Sequence, residues 1–258
     1  MSDFQIRFGG IERLYGRDGL ARLLAAHVCV IGLGGVGTWA AEALARSGVG
    51  ALTLVDLDEV CASNINRQLH ALTETVGQAK VEVMAERIRA INPECRVRPV
   101  QQFFNAETAA GLLATKYDFV LDAIDNVANK VLLLAGCRER KLPVTACGGA
   151  GGRRDGTQVR TADLAKVSRD RLLAEVRRTL RKEFLFPADG SPMGVECVFS
   201  AEPPVFAQPD GSICAHRTAA PEGTRLNCNG GLGSATFVTG AFGFAAAGLV
   251  VQRLVAAQ

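Results

Sequence analysis

Residues 28–68 read VCVIGLGGVGTWAAEALARSGVGALTLVDLDEVCASNINRQ. The stretch opens on a buried-strand run, Val28 to Ile31, followed by Gly32, Gly34 and Gly37 in G-x-G-x-x-G spacing. Thr38 to Ser47 reads as a helix. Ala51 to Leu57 reads as a second strand that delivers Asp56 and Asp58. Strand, glycine turn, helix and strand in this order make a nucleotide-binding βαβ unit. The glycines let backbone pass close to phosphate, and the helix N-terminus offers free N–H groups and positive dipole to it. Asp56 follows the turn by about 20 residues, where a carboxylate can accept from ribose hydroxyls. This much points to a mononucleotide and leaves the chemistry open.

The rest of the composition is that of a globular chain. Its 258 residues suffice for one sizeable core, or one core plus a small lobe. The net charge of +3 gives no global attraction to nucleic acid, so any basic patch must be local. Met1 to Phe8 carries charges and no apolar run, so no export signal is expected there. None of the eight cysteines pairs with another in C-x-x-C spacing, which argues against a structural zinc ribbon and suits a reducing, cytoplasmic setting.

Residues 3–26 form an amphipathic segment punctuated by Arg7, Arg13 and Arg17. The loop from Glu59 to Leu72 is rich in hydrogen-bonding side chains: Ser63, Asn64, Asn66, Arg67, Gln68 and His70. Helices are expected over 78–91, 106–115 and 129–141, and strands over 95–100, 117–124 and 143–147. Alternating strands and helices predict an α/β fold, a Rossmann-like, mostly parallel sheet with helices on both faces. Ligands bind such sheets outside the carboxyl ends of the strands, where Asp56, the Asn64–Gln68 loop, Asp122, Asp125 and Asn126 fall. Residues 1–152 form the nucleotide-binding region. Residues 153–258 are expected to be an extension completing the same domain. It holds a short strand (157–161), a basic helix (168–184), a proline-rich extended region and an uncharged glycine-rich tail helix over 226–251.

Five spaced motifs then carry a resemblance: G-x-G-G-V-G, L-V-D-L-D, S-N-x-N-R-Q, V-G-Q-A-K and L-D-A-I-D-N. Together they resemble the ubiquitin-activating-like adenylating enzymes, such as ThiF, MoeB and HesA. In that family the sheet holds ATP and Mg²⁺, and a substrate carboxylate attacks the α-phosphate to give an acyl-adenylate. The resemblance implies ATP contacts from Gly32, Gly34, Gly35, Asp58, Asp122 and Asn126. It implies that Asp56 holds the ribose, that Arg67 and Lys80 grip the phosphates, that Asn64 and Gln68 orient the triphosphate, and that Asp125 holds the metal. Phosphoryl-centre chemistry needs positioning and cations more than covalent help, and one Arg, one Lys and one carboxylate-held Mg²⁺ supply that.

Further segments narrow the resemblance to one branch: R-F-G-G-I-E-R-L-Y-G at the start, G-G-A-G-G after the fifth strand, D-L-A-K-V-S-R-D, G-V-E-C-V-F-S and the apolar tail. This branch dehydrates threonylcarbamoyladenosine in tRNA. ATP activates the modification's carboxylate, and the modification's own nitrogen closes a five-membered ring. The resemblance implies a homodimer, a substrate tRNA and, as a further partner, a sulfur-relay protein. It departs at Gly10, where relatives carry an arginine that reaches the partner subunit's ATP. Arg13 and Arg7 are the residues left for that role.

Each signal has a plainer reading. The glycine turn alone would fit NAD, but NAD does not explain Asn64, Arg67, Lys80 and Asp125 together. Lys80 alone would be a solvated helix residue, and Asp125 a helix N-cap. The segment 166–183 holds seven basic and three acidic residues. Arg171, Arg177, Arg178, Arg181 and Lys182 form its tRNA-contacting candidates, against the alternative of a solvated face. Cys197, Cys214 and Cys228 are read as structural, with Cys214 and Cys228 the residual nucleophile candidates. The tail is long enough to span a bilayer, but its glycines argue for a helix packed in protein, so no membrane partner is expected. Two other functions compete: activation of a ubiquitin-like sulfur carrier, and a non-catalytic ATP-binding adaptor.

Overall fold

The computed structural model describes residues 3–208, 210–215 and 232–256. Helix α1 (Asp3–Ala25), kinked at Gly16, leads into β1 (His27–Ile31). Then follow α2 (Gly35–Arg46), β2 (Ala51–Val55), α3 (Lys80–Ile91), β3 (Arg96–Val100), α4 (Ala109–Leu113), β4 (Phe119–Asp122), α5 (Val127–Glu139) and β5 (Val144–Cys147). The remaining elements are β6 (Val159–Asp163), α6 (Arg171–Glu183), β7 (Glu196–Ser200), the short pair β8 (Phe206–Ala207) and β9 (Ile213–Cys214), and α7 (Thr236–Ala256).

Seven strands make one sheet in the order β3-β2-β1-β4-β5-β7-β6, and only β6 runs antiparallel. Strands β2, β4 and β5 are buried throughout, and β1 in all but His27, as expected where helices cover both faces. Strand β3 is half exposed and contains Pro99, which an edge strand tolerates because no neighbour needs its missing N–H. One core lies under α1, α2, α3 and α7, with Leu23, Leu44, Met84 and Phe242. The other lies under α4, α5 and α6, with Leu112, Leu133, Leu173 and Val176.

The expected elements appear with ends moved by a few residues, and the basic helix starts at Arg171 rather than Ser168. Strand β7 was not foreseen. Its five residues sit inside a proline-rich stretch read only as extended, and their place beside β5 is a long-range pairing that no local pattern announces.

The apolar tail folds as α7 against α2 and the sheet. Val238, Phe242, Ala246, Val250 and Leu254 are buried. A side chain at Gly243 would lie 2.7 Å from Val36 O and Trp39 Cβ, so this glycine sets how closely the two helices approach. By length and composition α7 could cross a membrane, but half of that window is buried inside the protein. The expected helix starts at Leu226, but α7 begins at Thr236 and residues 232–235 are not helical. Residues 226–231 lie outside the described residues, as does Cys228.

Candidate functional site

The site is built at the carboxyl edge of β1, β2 and β4. Gly32 continues β1 and has φ +92, a conformation that favours glycine. A side chain there would sit 2.9 Å from Ala123 O, and one at Gly37 would sit 1.8 Å from Gly32 O. Only glycine lets the turn fold this tightly against the loop after β4. Gly34 is the N-cap of α2 with open space beside it, so its surroundings can admit phosphate. Gly35 serves packing: its missing Cβ leaves room for Thr239 of α7, 2.9 Å away.

Asp56, at the end of β2, accepts hydrogen bonds from Leu33 N (2.6 Å) and Asp58 N (2.9 Å). Burial pushes its carboxyl above the usual carboxylate range, opposed by Lys80 and by the two backbone donors. The carboxylate therefore ties the glycine turn to the end of β2. Lys80, at the start of α3, is buried with its Nζ 2.8 Å from the more exposed Asp58 carboxylate. This is no solvated helix residue: the buried ammonium is held at the edge by its pairing with Asp58.

The 61–70 loop is held as firmly. Asn64 is buried, and its Oδ1 accepts from Cys61 N. Arg67 Nη1 donates to Ser63 O (2.7 Å) and Asn66 Oδ1 (3.0 Å). Trp39 Nε1 and Thr239 Oγ1 each donate to Arg67 O at 3.1 Å, so α2 and α7 together set the backbone of this arginine. Nothing in the sequence marked Thr239 for that task. Gln68 is buried, and its Oε1 has no hydrogen-bond partner among the described residues. His70, passed over as a site residue in the sequence, is buried, and neither ring nitrogen makes a well-formed hydrogen bond among the described residues. Burial first, and Lys80 second, push its pKa down to about 4.

The loop after β4 corrects two expectations. Asp122 does not face a nucleotide. It is fully buried, its Oδ1 accepts from Ile124 N (3.0 Å), and its Oδ2 lies 2.8 Å from Nζ of the equally buried Lys130. Burial raises its pKa and Lys130 opposes the rise. The N-cap of α5 is Asn126, whose Oδ1 accepts from Asn129 N at 3.1 Å, so this oxygen is engaged in the helix. Asp125 is thereby free of the capping role. It is exposed, and no hydrogen bond or ion pair engages its carboxylate among the described residues. A lone free carboxylate suits Mg²⁺, which binds through one or two carboxylates plus phosphates and keeps several waters. The described residues contain no cluster of three metal-ligating side chains, the other common arrangement.

Two further groups are only partly brought together. Arg13 is exposed on α1, whose first half packs at the opposite, amino edge. There Arg7 donates to Ile91 O, and Phe8 packs beside Gly48. Arg13 therefore does not enter the nucleotide site of its own chain. On α6, Arg171, Arg178 and Lys182 are exposed. Arg177 is withdrawn, donating to Leu164 O and Val167 O, and Arg181 donates to Pro187 O. These two guanidiniums satisfy backbone carbonyls, so the free basic face is smaller than the sequence suggested. Cys197 is buried in the core, and Cys214 lies on the short β9 strand.

The comparisons agree with this fold. The model of the ThiF family matches residues 10–255. The chain is 49% identical to tRNA threonylcarbamoyladenosine dehydratase of Escherichia coli over 97% of its length and 94% of the relative. It is 41% identical to the Escherichia coli molybdopterin-synthase adenylyltransferase, over 53% of the chain and 54% of that relative. The crystal structure of the Escherichia coli dehydratase in complex with ATP superposes with a TM-score of 0.87 at 46% identity, covering 99% of this chain and 96% of that one. With its glycine turn, its Lys80 and Arg67 and its unengaged Asp125 at one sheet edge, the chain belongs to the ThiF family.

Proposed function

We infer that this chain is an ATP-dependent adenylating enzyme that dehydrates threonylcarbamoyladenosine in tRNA to its cyclic form. The observation that carries the reading is the placing of two cations, Lys80 and Arg67, and the free carboxylate of Asp125 at the sheet edge that holds the tight glycine turn. The near full-length likeness to dehydratases supports the substrate class.

In this reading the Gly34 end of α2 and the side chains of Arg67 and Lys80 hold the triphosphate, and Asp56 holds the ribose. Bound Mg²⁺, held by Asp125, would supply charge neutralisation on the phosphates. Lys80 releases Asp58 to meet the phosphate and, with Arg67, stabilises charge developing on the α-phosphoryl group as the substrate carboxylate attacks. Pyrophosphate leaves, and a nucleophile within the modification closes the five-membered ring with loss of AMP. The overall change is loss of one water from the base. No enzyme thiol is needed, which agrees with the burial of Cys197.

The exposed Arg171, Arg178 and Lys182 are proposed to track the tRNA backbone outward from the site. Asp170, at the start of α6, accepts from Gly149 N at the carboxyl end of β5, so α6 begins near the site. Its 13 residues then carry charge about 20 Å away. A homodimer is proposed because Arg13, remote from its own site, is free to serve another. The setting is proposed to be the cytoplasm.

The test is mass spectrometry of nucleosides from tRNA bearing the linear modification, incubated with the protein, ATP and Mg²⁺. Loss of one water with stoichiometric AMP and pyrophosphate is expected. An unchanged nucleoside, together with pyrophosphate exchange on a carrier ending in Gly-Gly, would move the substrate to a sulfur carrier.

A further inference from the structure

The buried ion pair beneath the loop after β4 is not used by any step above. Lys130 Nζ and Asp122 Oδ2 are 2.8 Å apart, and both side chains have 0% exposure. Such a pair is weak evidence for stability, because well-packed apolar residues often do as well or better. What this pair touches gives it another meaning. Asp122 is the last residue of β4. Its second oxygen accepts from Ile124 N at 3.0 Å, one residue before Asp125. Lys130 comes from the first turns of α5, the helix that Asn126 caps. On its other side the same loop meets the glycine turn, where Ala123 O fills the space a Gly32 side chain would need. The carboxylate of Asp122 thus clamps the loop from below, and Lys130 holds that carboxylate in place from the helix.

We propose that Lys130, acting through Asp122, is a positioning residue for Asp125: the pair sets the loop so that the Asp125 carboxylate faces the phosphates bound at the glycine turn. The proposal rests on the reading of Asp125 as the Mg²⁺-holding residue. Without Lys130 the Asp122 carboxylate would be buried and unpaired. It would take up a proton or leave its place, and in either case the Ile124 N–H loses its charged acceptor. Asp125 would keep its chemistry and lose its aim. A merely structural pair predicts loss of stability with unchanged metal response, whereas a positioning pair predicts the reverse.

The test compares wild type, Asp125→Asn and the charge-neutral double variant Lys130→Met with Asp122→Asn, which removes both charges and leaves neither stranded. AMP formation on tRNA bearing the linear modification is followed against Mg²⁺ concentration. ATP binding in chelator and the melting temperature are measured beside it. The double variant is expected to raise the half-saturating Mg²⁺ roughly tenfold, to bind metal-free ATP as wild type does, and to melt within a few degrees of it. If Asp125→Asn raises the Mg²⁺ requirement and the double variant does not, the positioning role is overturned and the Asp125 reading stands. If Asp125→Asn leaves the Mg²⁺ requirement unmoved, both readings fall. Should the double variant not fold, Lys130→Gln, which keeps an amide donor for Asp122, is judged by the same criterion. Failure of both to fold would make the pair a determinant of the fold and overturn the proposal.

Discussion

At the scale of single residues, the proposed function separates groups that would hold the nucleotide from groups that hold the site. Lys80 and Arg67 are proposed to be of the first kind. Lys80→Ala breaks one ion pair, with Asp58, whose side chain is 55% exposed and can be hydrated, and withdraws the cation that opposes the burial of Asp56. Either substitution to alanine is therefore expected to lower AMP formation by about 10²–10³-fold while moving the melting temperature little. Equal losses of activity and stability would remove both residues from the site. Gly37 is of the second kind. An alanine methyl 1.8 Å from Gly32 O requires backbone to move. Gly37→Ala is thus expected to abolish ATP binding and to destabilise by about 2 kcal/mol or more, read by calorimetry and denaturant melts. His70 gives a pH signature. Its folded pKa of about 4 lies below the unfolded value of 6.5, so the unfolded state binds the proton more readily between these values. Stability from this group is complete above pH 6.5 and is lost as pH falls toward 4. Urea melts should show a fall in stability over that window which His70→Phe reduces by on the order of 1–2 kcal/mol.

At the scale of elements, α6 and α7 show how position alters the meaning of a composition. The basic residues of α6 look equivalent in sequence, but Arg177 and Arg181 are spent on carbonyls, while Arg178 and Lys182 are exposed at the far end of the helix. Arg178→Glu with Lys182→Glu is expected to weaken tRNA binding about tenfold near 0.1 M salt and to flatten its salt dependence, without changing affinity for free ATP. Arg177→Ala should instead lower the melting temperature. Unmoved tRNA affinity in the first variant would make α6 a solvated face. Helix α7 was legible as an apolar, glycine-rich helix. Its contribution to the site, Thr239 holding Arg67 O while filling the gap at Gly35, depends on a crossing against α2 that sequence spacing does not encode.

At the scale of the whole molecule, the remoteness of Arg13 from its own nucleotide edge makes a prediction about assembly. Arg7 is tied to Asp3 and Ile91 O, which leaves Arg13 as the residue able to reach a second subunit. If it does, Arg13→Ala and Lys80→Ala chains, each inactive alone, should complement when co-folded, because a mixed dimer has one intact site. An equal mixture should recover about a quarter of wild-type activity, by the statistics of a two-fold dimer. No recovery would place both residues in one chain's site or remove Arg13 from function.

The local pattern of residues 28–68 was enough to determine the βαβ unit and the glycine turn, and the alternation of strands and helices to residue 147 gave the parallel sheet and the short set of polar residues at its carboxyl edge. Those features follow from periodicity, turn chemistry and spacing, all of which act between near neighbours. Which of those polar residues are free was settled only by folding. Asp122 and Asp125 are three residues apart and chemically alike, but one is sealed against Lys130 and the other left open to solvent, because the sheet edge falls between them. The same holds for Arg177, withdrawn onto backbone carbonyls, against Arg178, exposed and paired with Glu175 on the helix surface, and for β7 finding its place beside β5. Burial and pairing are properties of surfaces assembled from distant parts of the chain, and no single segment carries them.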